Sequence, residues 1–408
     1  MRTIRVQKFG GTSLTEVGQI LQAAQLVREA REKGASPVVC VSARGATTDR
    51  LLAEAEAFAS PNARELDQLL STGEIASAAF MAMALQASGV PAVSLTGGQA
   101  GIDAVHVGGE TRISAIETRR ILAHLAEGTV VVVAGFQGHD EDGDVRTLGR
   151  GGSDTTAVAL AVALGAGTCE IYTDVHGVYT ADPRVVPDAR VLPEVPHEVM
   201  SEMSISGARV LHSRAVELAA VHGTTITVGA PDTRIPGTIV QGRSGPMLEN
   251  AGFVYAVTHD PNVAKVGVRL DEDGDGLGRV LLDVLHERLL PLHLTGWAGG
   301  PSTGLDLGFV VRGDRVEEVE ELLRRSAGSH GLTYTIDTGA AQVSVVGVGL
   351  LNRPGLSRRI LRVLGDLGIT TEWMSLTQSR ASVLVPASRV DKATAALHEA
   401  FGLGAAPA

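Results

Sequence analysis

The hexad Gly149-Arg150-Gly151-Gly152-Ser153-Asp154 constrains this chain more than any other stretch. It lies between a turn, His139 to Gly143, and an apolar run from Thr155 to about Leu164 that reads as a helix. Closely spaced glycines let the backbone turn tightly and present its N–H groups, and the helix start behind them adds the positive end of a dipole. Such a seat takes an anion, phosphate or carboxylate. Arg150 adds a bidentate donor, and Ser153 and Asp154 are placed to cap the helix or to meet a ligand. A helix-capping turn alone would have the same composition, so the accompanying strings decide between the readings.

The first is Lys8-Phe9-Gly10-Gly11-Thr12-Ser13. Ile4, Val6 and their neighbours read as a strand, and Val17, Ile20, Leu21, Ala24 and Val27 recur at helical spacing. The chain therefore runs strand, glycine loop, helix, with a lysine at the strand's end. That order suits phosphate binding, but it is not the P-loop, because no Gly-x4-Gly-Lys-Ser/Thr string occurs. Taken alone, Lys8 reads equally well as a solvated strand-end lysine. The second string runs from Tyr172 to Arg184. A short strand, Cys169 to Tyr172, leads into a turn-rich segment with an aromatic ring, two carboxylates and an arginine. It could cover a purine and reach its phosphates, although Asp-Pro and His-Gly are also ordinary turn formers.

Strand-like runs near Ile4, Val38 to Val41, Ala92 to Leu95, Val130 to Ala134 and Glu170 to Tyr172 alternate with helical stretches. This predicts an α/β fold whose parallel sheet is covered on both faces, and the 3% aromatic content with abundant Ala, Val, Leu and Gly suits it. A helix over Ser213 to His222 and a strand over Thr225 to Val228 follow, and the Gly- and Pro-rich stretch Gly229 to Asn250 reads as a boundary. Beyond it, strands at Val263 to Leu270 and Gln342 to Val348 precede helical runs at Arg279 to Leu289 and Leu356 to Leu367. Further strands at Asp306 to Val311 and Ala381 to Val385 suggest two β-α-β-β-α-β units.

The net charge of -11, with no basic block, argues against a nucleic-acid surface. Cys40 and Cys169 sit in apolar strand-like runs and read as buried thiols, with no disulfide framework or metal spacing. The absence of a signal peptide or an apolar span predicts a cytoplasmic protein with no membrane partner. The acidic run Asp271 to Asp275 lacks the later glutamate of a calcium loop and reads as a solvated loop.

Three more strings agree with the first three: Ser42-Ala43-Arg44-Gly45-Ala46-Thr47-Thr48-Asp49, Leu70-Ser71-Thr72-Gly73-Glu74 and Gly207-Ala208-Arg209-Val210-Leu211-His212. In this order, and over nearly the whole chain, they resemble the aspartokinase branch of the amino-acid kinase family. The resemblance implies an amino-acid kinase fold, a mostly parallel sheet between helix layers, as the catalytic domain over 1–245. Two ferredoxin-like ACT domains, small amino-acid-sensing modules, would follow. The first, 263–335, is expected to be inserted in the second, formed by 251–262 plus 336–408, so that Phe253 to Thr258 lends the later module a strand. Asn352-Arg353-Pro354-Gly355 resembles an ACT turn.

The implied reaction moves the γ-phosphoryl group of ATP to the β-carboxylate of L-aspartate, giving 4-phospho-L-aspartate toward lysine, threonine and methionine. A carboxylate with a reference pKa of about 3.9 is already ionised at neutral pH. No general base is needed, and catalysis would rest on positioning and charge neutralisation. Mg²⁺ would ride on the ATP oxygens and keep several waters, so no protein metal ligand is assigned. By resemblance Lys8, Asp154 and Glu74 are catalytic. ATP would contact Lys8, Phe9, Gly10, Gly11, Thr173, Asp174, Tyr179, Thr180, Ala181, Asp182, Pro183, Arg184 and Arg209. Aspartate would contact Thr12, Ser42, Thr48, Glu74, Arg150, Gly151, Gly152, Ser153 and Asp154. Glu74 would pair with its ammonium and Arg150 with a carboxylate. Without the resemblance, Glu74 reads as a first-turn helix acid.

The sequence departs from the family pattern in places. His176 stands where Asp is commonest, Arg209 where lysine is usual, and Ser213 where proline is usual. The first sensor module has Asp271-Glu272-Asp273-Gly274-Asp275-Gly276 in place of Asp-x-Pro-Gly, and Trp297 near the place of a ligand-binding glutamine. Met374-Ser375-Leu376-Thr377-Gln378-Ser379 is also off pattern. A lysine or threonine effector is expected, with a homodimer or an assembly with a separately translated sensor subunit starting near Met247. The alternatives are another amino-acid kinase, acting on glutamate, acetylglutamate or a nucleotide monophosphate, and a non-catalytic sensor. Retention of Lys8, Glu74, Arg150 and Asp154 argues against the sensor.

Overall fold

The computed structural model describes residues 3–58, 61–107, 110–232, 237–242, 254–270, 293–300, 304–330, 332–353 and 355–404. The helix expected over Arg279 to Leu289, the acidic run from Asp271, Met247, Phe253 and Pro354 lie outside these residues. The chain divides into two compact units. The first takes Met1–Val178, Val191–Ile205 and Arg209–Met247; the second takes Tyr179–Arg190, Ser206–Ala208 and Leu248–Ala408.

In the first unit the strands are β1 (Ile4–Phe9), β2 (Ser36–Val41), β3 (Ala92–Leu95), β4 (Ile102–Val107), β5 (Glu110–Ile116), β6 (Val130–Ala134), β7 (Gln137–His139), β8 (Val145–Thr147), β9 (Thr168–Tyr172), β10 (Glu194–Pro196), β11 (Thr225–Gly229) and β12 (Thr238–Gln241). Eight of them form one sheet in the order β10-β12-β11-β9-β1-β2-β6-β3. Only the β11–β12 pair is antiparallel. β6 is Val-Val-Val-Val-Ala, buried at every position, as a central strand covered on both faces must be. The hairpin β4–β5 joins β7 and β8 in a separate four-stranded sheet.

Alternation along β1 sorts the two faces of the large sheet. Phe9 joins the core with Ile20, Ala24 and Val27 of α1 (Val17–Glu32) and Ala78, Met81 and Leu85 of α3 (Ala63–Ala87). Lys8 points the other way, toward α5 (Gly152–Ala163), which packs on β1, β2 and β9. The helix α3 is long and apolar enough to cross a membrane by length and composition, but 56% of its most apolar window is buried within the protein. Its buried Leu70, Met81 and Leu85 mark it as a core helix. Both cysteines are fully buried free thiols, and burial pushes them up from the usual thiol value.

The second unit contains two four-stranded antiparallel sheets. Strands β14 (Val263–Leu270), β15 (His293–Gly300), β16 (Gly304–Arg312) and β17 (Leu332–Asp337) lie in the order β15-β16-β14-β17. Strands β13 (Val254–Asp260), β18 (Ala340–Gly347), β19 (Trp373–Leu376) and β20 (Arg380–Pro386) lie in the order β13-β18-β20-β19. The two orders coincide once β13 is counted as the last strand of its sheet. It pairs antiparallel with β18, Val257 opposite Val345. The first sheet buries Val266, Val268, Leu307 and Phe309 against Val319 and Leu323 of α8 (Val316–His330). The second buries Val343, Val345 and Val383 against Ile360 and Leu364 of α9 (Gly355–Asp366) and Leu397 of α10 (Val390–Ala400).

The two sheets meet through Val263, Val310 and Leu384, with Trp373 packed on them, and through a Lys265–Glu372 ion pair at 2.7 Å. The Trp373 ring occupies the space over Gly308, where a Cβ would stand 2.3 Å from its Cη2 atom. Gly308→Ala should therefore cost about 1–3 kcal/mol through overpacking. Trp373→Leu in the same chain should recover part of that loss. Chemical denaturation of the two single variants and the double variant checks this, and strictly additive costs would show that the ring does not lie there.

Candidate active site

The site of the first unit grows from the C-terminal ends of β1 and β2. After Phe9 the chain enters a single 3₁₀ turn, Gly11–Leu14, and Gly10 N donates to Tyr172 O at 3.0 Å. A Cβ at Gly11 would stand 2.3 Å from Ala43 O, so the close approach of these two loops requires glycine there. Lys8 is only 8% exposed, and its Nζ lies 2.6 Å from Asp154 Oδ1. The carboxylate that could have capped α5 is spent on this pair instead. The helix begins behind Gly151, at φ +70° and without a side-chain cap.

The glycine hexad forms the turn that its composition predicts. Gly149 and Gly151 both have positive φ, +72° and +70°, and Gly152 N donates to Gly149 O. The first turn of α5 thus begins without a side-chain cap, an arrangement able to take an anion at its amides. Ser153 is buried beside Gly135, where a Cβ would stand 3.0 Å from the serine Oγ and 2.9 Å from Cys40 Sγ. Arg150 is exposed at the crest of the turn.

Glu74 departs most from its sequence reading. It is not in a first turn but eleven residues into α3, and it is 3% exposed. Its Oε1 accepts the Ala43 amide at 2.9 Å, and its Oε2 is buried without a hydrogen-bond partner. Burial pushes its carboxyl up to about 7, against the opposing pull of the Ala43 N–H. An orphaned acidic oxygen beside the glycine loops is a seat for a cation. Gly73 makes the approach possible, since a Cβ there would stand 2.8 Å from that of Ala43.

Lys8, Gly10, Gly11, Glu74, Ser153 and Asp154 are thus brought together. Ser42 adjoins them, its N–H donating to Phe9 O, and Thr48 lies in the first turn of α2 (Thr47–Ala55). Thr12 is exposed beside Gly11. The Phe9 and Tyr172 rings stack at 4.9 Å, which sets Thr173 and the exposed Asp174 directly after the end of β9. Thr173 Oγ1 donates to Asp174 Oδ1 at 3.0 Å, and Arg209 is exposed.

Tyr179, Thr180, Ala181, Asp182, Pro183 and Arg184 belong to the second unit. Thr180 is 1% exposed there. Its hydroxyl lies 2.9 Å from His398 Nε2 and accepts the Arg190 amide, and Val257 N donates to its carbonyl. Arg190 Nε donates to Leu403 O at 3.0 Å. Asp182 is paired with Arg184 at 2.7 Å, which holds its carboxyl below the usual carboxylate range.

Sequence reasoning missed the Ala43 amide, which carries no side-chain signal, and Phe136. This phenylalanine has φ +66°, donates its N–H to Thr156 Oγ1 and accepts from Leu148 N. A bulky residue at positive φ is strained, and strain of this kind gathers at functional turns. Nothing in the string Ala134-Gly135-Phe136 announces it.

Comparison with known proteins agrees with this geometry. The amino acid kinase family profile matches residues 3–229, and an ACT domain profile matches 343–401. The aspartokinase of Bacillus sp. (strain MGA3) is 41% identical over 404 residues, covering 98% of this chain and 97% of its own. That of Mycolicibacterium smegmatis is 40% identical over 406 residues, covering 98% and 96%. The chain belongs to the aspartokinase family.

Solved aspartokinases share its fold. The E. coli aspartokinase III structure in complex with aspartate and ADP has a TM-score of 0.82 at 23% identity, covering 98% of this chain and 99% of that one. The aspartate kinase from Synechocystis has a TM-score of 0.55 at 35% identity, covering 100% and 70%. The large sheet between α1, α3 and α5 is therefore an amino-acid kinase fold, and the sheet holding β18 to β20 is an ACT domain.

The raised pKa of Glu74 gives a stability signature. The fold favours the protonated acid, so this contribution is fully present below the ordinary value of 4.5 and is lost as pH rises through about 7. Its size is on the order of 3 kcal/mol. Glu74→Gln keeps the acceptor for Ala43 N–H and removes the buried charge. Between pH 5 and 8 the variant should lose less stability than the parent in urea titrations, and parallel profiles would show that Glu74 does not titrate in this range.

Proposed function

We propose that this aspartokinase transfers the γ-phosphoryl group of ATP to the β-carboxylate of L-aspartate through the Lys8–Asp154 floor, with Glu74 selecting the substrate's ammonium. The observation that carries the reading is the orphaned, desolvated Glu74 oxygen beside a buried lysine and a glycine turn. An amino acid brings an ammonium and a carboxylate that both lose water on binding, and each requires a partner of opposite charge. Glu74 supplies one. Arg150, Ser153 and the amides of Gly151 and Gly152 supply the other, with Thr12, Ser42 and Thr48 lending donors at the rim.

Lys8 does the electrostatic part. It offsets charge where an anionic nucleophile approaches a polyanionic phosphate, and Asp154 holds the ammonium at the strand's end. The amides of Gly10 and Gly11 extend the cradle, and the nucleotide would reach Thr173, Asp174 and Arg209. Among the described residues, no cluster of three or more His, Cys, Asp or Glu side chains is built for a metal ion. Mg²⁺ would enter with ATP, held mainly by phosphate oxygens with Asp154 as the nearest carboxylate of the floor, and would supply charge neutralisation.

We assign the remaining sheet, β14 to β17, to a second ACT module. Its strand order, the same as that of its neighbour, supports this. Paired modules support feedback control by an amino acid. A structure of E. coli aspartokinase III holds lysine and aspartate, so lysine and threonine are the effectors to try. Edge strands such as β15 and β19, which have one partner each among the described residues, favour pairing with a second copy in a homodimer. A cytoplasmic location fits the kinase reading.

Hydroxamate formation with aspartate, glutamate and acetylglutamate tests the reaction. Aspartate alone should give product, and Lys8→Ala should lower kcat roughly a thousandfold. Undiminished turnover in that variant would overturn the assignment. Rates measured with lysine and threonine, singly and together, should fall if the modules regulate, and unchanged rates at high effector would remove the feedback reading.

A further inference from the structure

Behind the glycine turn stands a residue to which neither the motifs nor the reaction assign a task. Arg214 is the second residue of α7 (Ser213–His222) and is partly buried. Its guanidinium leaves the helix in two directions. Nη1 donates to Leu148 O at 2.7 Å, and Nη2 donates to Thr111 O at 2.9 Å. Leu148 is the residue immediately before Gly149, and Thr111 lies on β5 in the hairpin with β4. One rigid fork therefore ties three separate pieces of chain: the start of α7, the entry to the glycine turn and the β4–β5 hairpin. His212, whose ring nitrogen caps α7 by accepting Arg214 N at 3.4 Å, closes the same turn from below. A Cβ at Gly151 would stand 2.1 Å from His212 Cγ.

We propose that Arg214 is a positioning residue for aspartate. By holding the Leu148 carbonyl, it fixes the Gly149–Gly152 turn and so aims Arg150, Ser153 and the turn amides at the substrate carboxylate.

Two physical points carry this. A turn built on two glycines at positive φ has little conformational stiffness of its own, so something outside it must set its geometry. Both bonds go to main-chain carbonyls, so the fork holds backbone rather than a side-chain partner, while Glu110 and Glu217 support its charge from further off. Burial opposes the guanidinium charge, and the two charge-assisted carbonyl bonds are what it receives in return. Leu148 itself is buried and its N–H donates to Phe136 O, so its carbonyl is the group left for Arg214 to hold at the entry of the turn.

The inference rests on the reading that this turn binds the aspartate carboxylate, and the test separates the two. Parent, Arg150→Ala, Arg214→Lys and Arg214→Met are compared for kcat and for the KM of aspartate and of ATP. Arg214→Met should raise the KM for aspartate roughly tenfold to a hundredfold, with the KM for ATP changed less than about twofold. Lysine keeps the charge but reaches only one carbonyl, so Arg214→Lys should recover part of the affinity. If Arg214→Met does not fold, the same split is read from Arg214→Lys, with melting temperatures taken with and without aspartate. Equal rises in both KM values, or a lower melting temperature with the parent's KM for aspartate, would overturn the positioning role. A parent enzyme inactive on aspartate, or an Arg150→Ala variant with unchanged KM for aspartate, would instead sink the reading of the turn.

Discussion

A lysine ammonium 2.6 Å from a carboxylate, with both side chains nearly out of water, is the interaction on which the catalytic unit depends. It is expensive to desolvate, and removing either partner leaves an uncompensated charge in the sheet, a loss of about 3–5 kcal/mol. A pair of this kind is weak evidence for stability and strong evidence for use. Lys8 is the penultimate residue of β1, the strand flanked by β2 and β9, and Asp154 is in the first turn of α5, so the pair fixes that turn against the middle of the sheet. The glycine turn, the Ser153 pocket over Gly135 and the stacked Phe9–Tyr172 rings all take their places around that point.

The charges of the site are separated by sign. Lys8, Arg150, the amides of α5 and the glycine loops gather positive potential on one side, and the Glu74 oxygen waits in a dry position on the other. That separation suits a zwitterion with an extra carboxylate better than it suits a simple anion. It also explains how an acidic group on the buried face of α3 is tolerated, since at neutral pH the fold can hold it partly protonated until a cation arrives.

Much of this was legible in the residues. The glycines at 149 and 151 announced the tight turn, because their conformational freedom is local in sequence. The strand at Val130 to Ala134 matched the structure to the residue, because an unbroken β-branched run has few other ways to be buried. Glu74 was legible only as a family position. Its local pattern pointed to a first turn, whereas α3 starts at Ala63, with Asn62 as its cap, and carries the acid to the site on its buried face. Contacts that depend on tertiary approach left no local trace: the Ala43 amide, the left-handed Phe136, the fork of Arg214. The string Tyr172 to Arg184 was read as a nucleotide loop, whereas Thr180 and Arg190 bond to His398, Leu403 and Val257, residues far apart in the sequence.

That excursion of the chain bears on how the molecule can be cut. Residues 179–190 leave one folding unit, join the other, and return, so no single cleavage point separates the two units. Truncation near residue 245 would strip Thr180 of its histidine and Arg190 of its carbonyl, unravelling a stretch that the shortened polypeptide still carries.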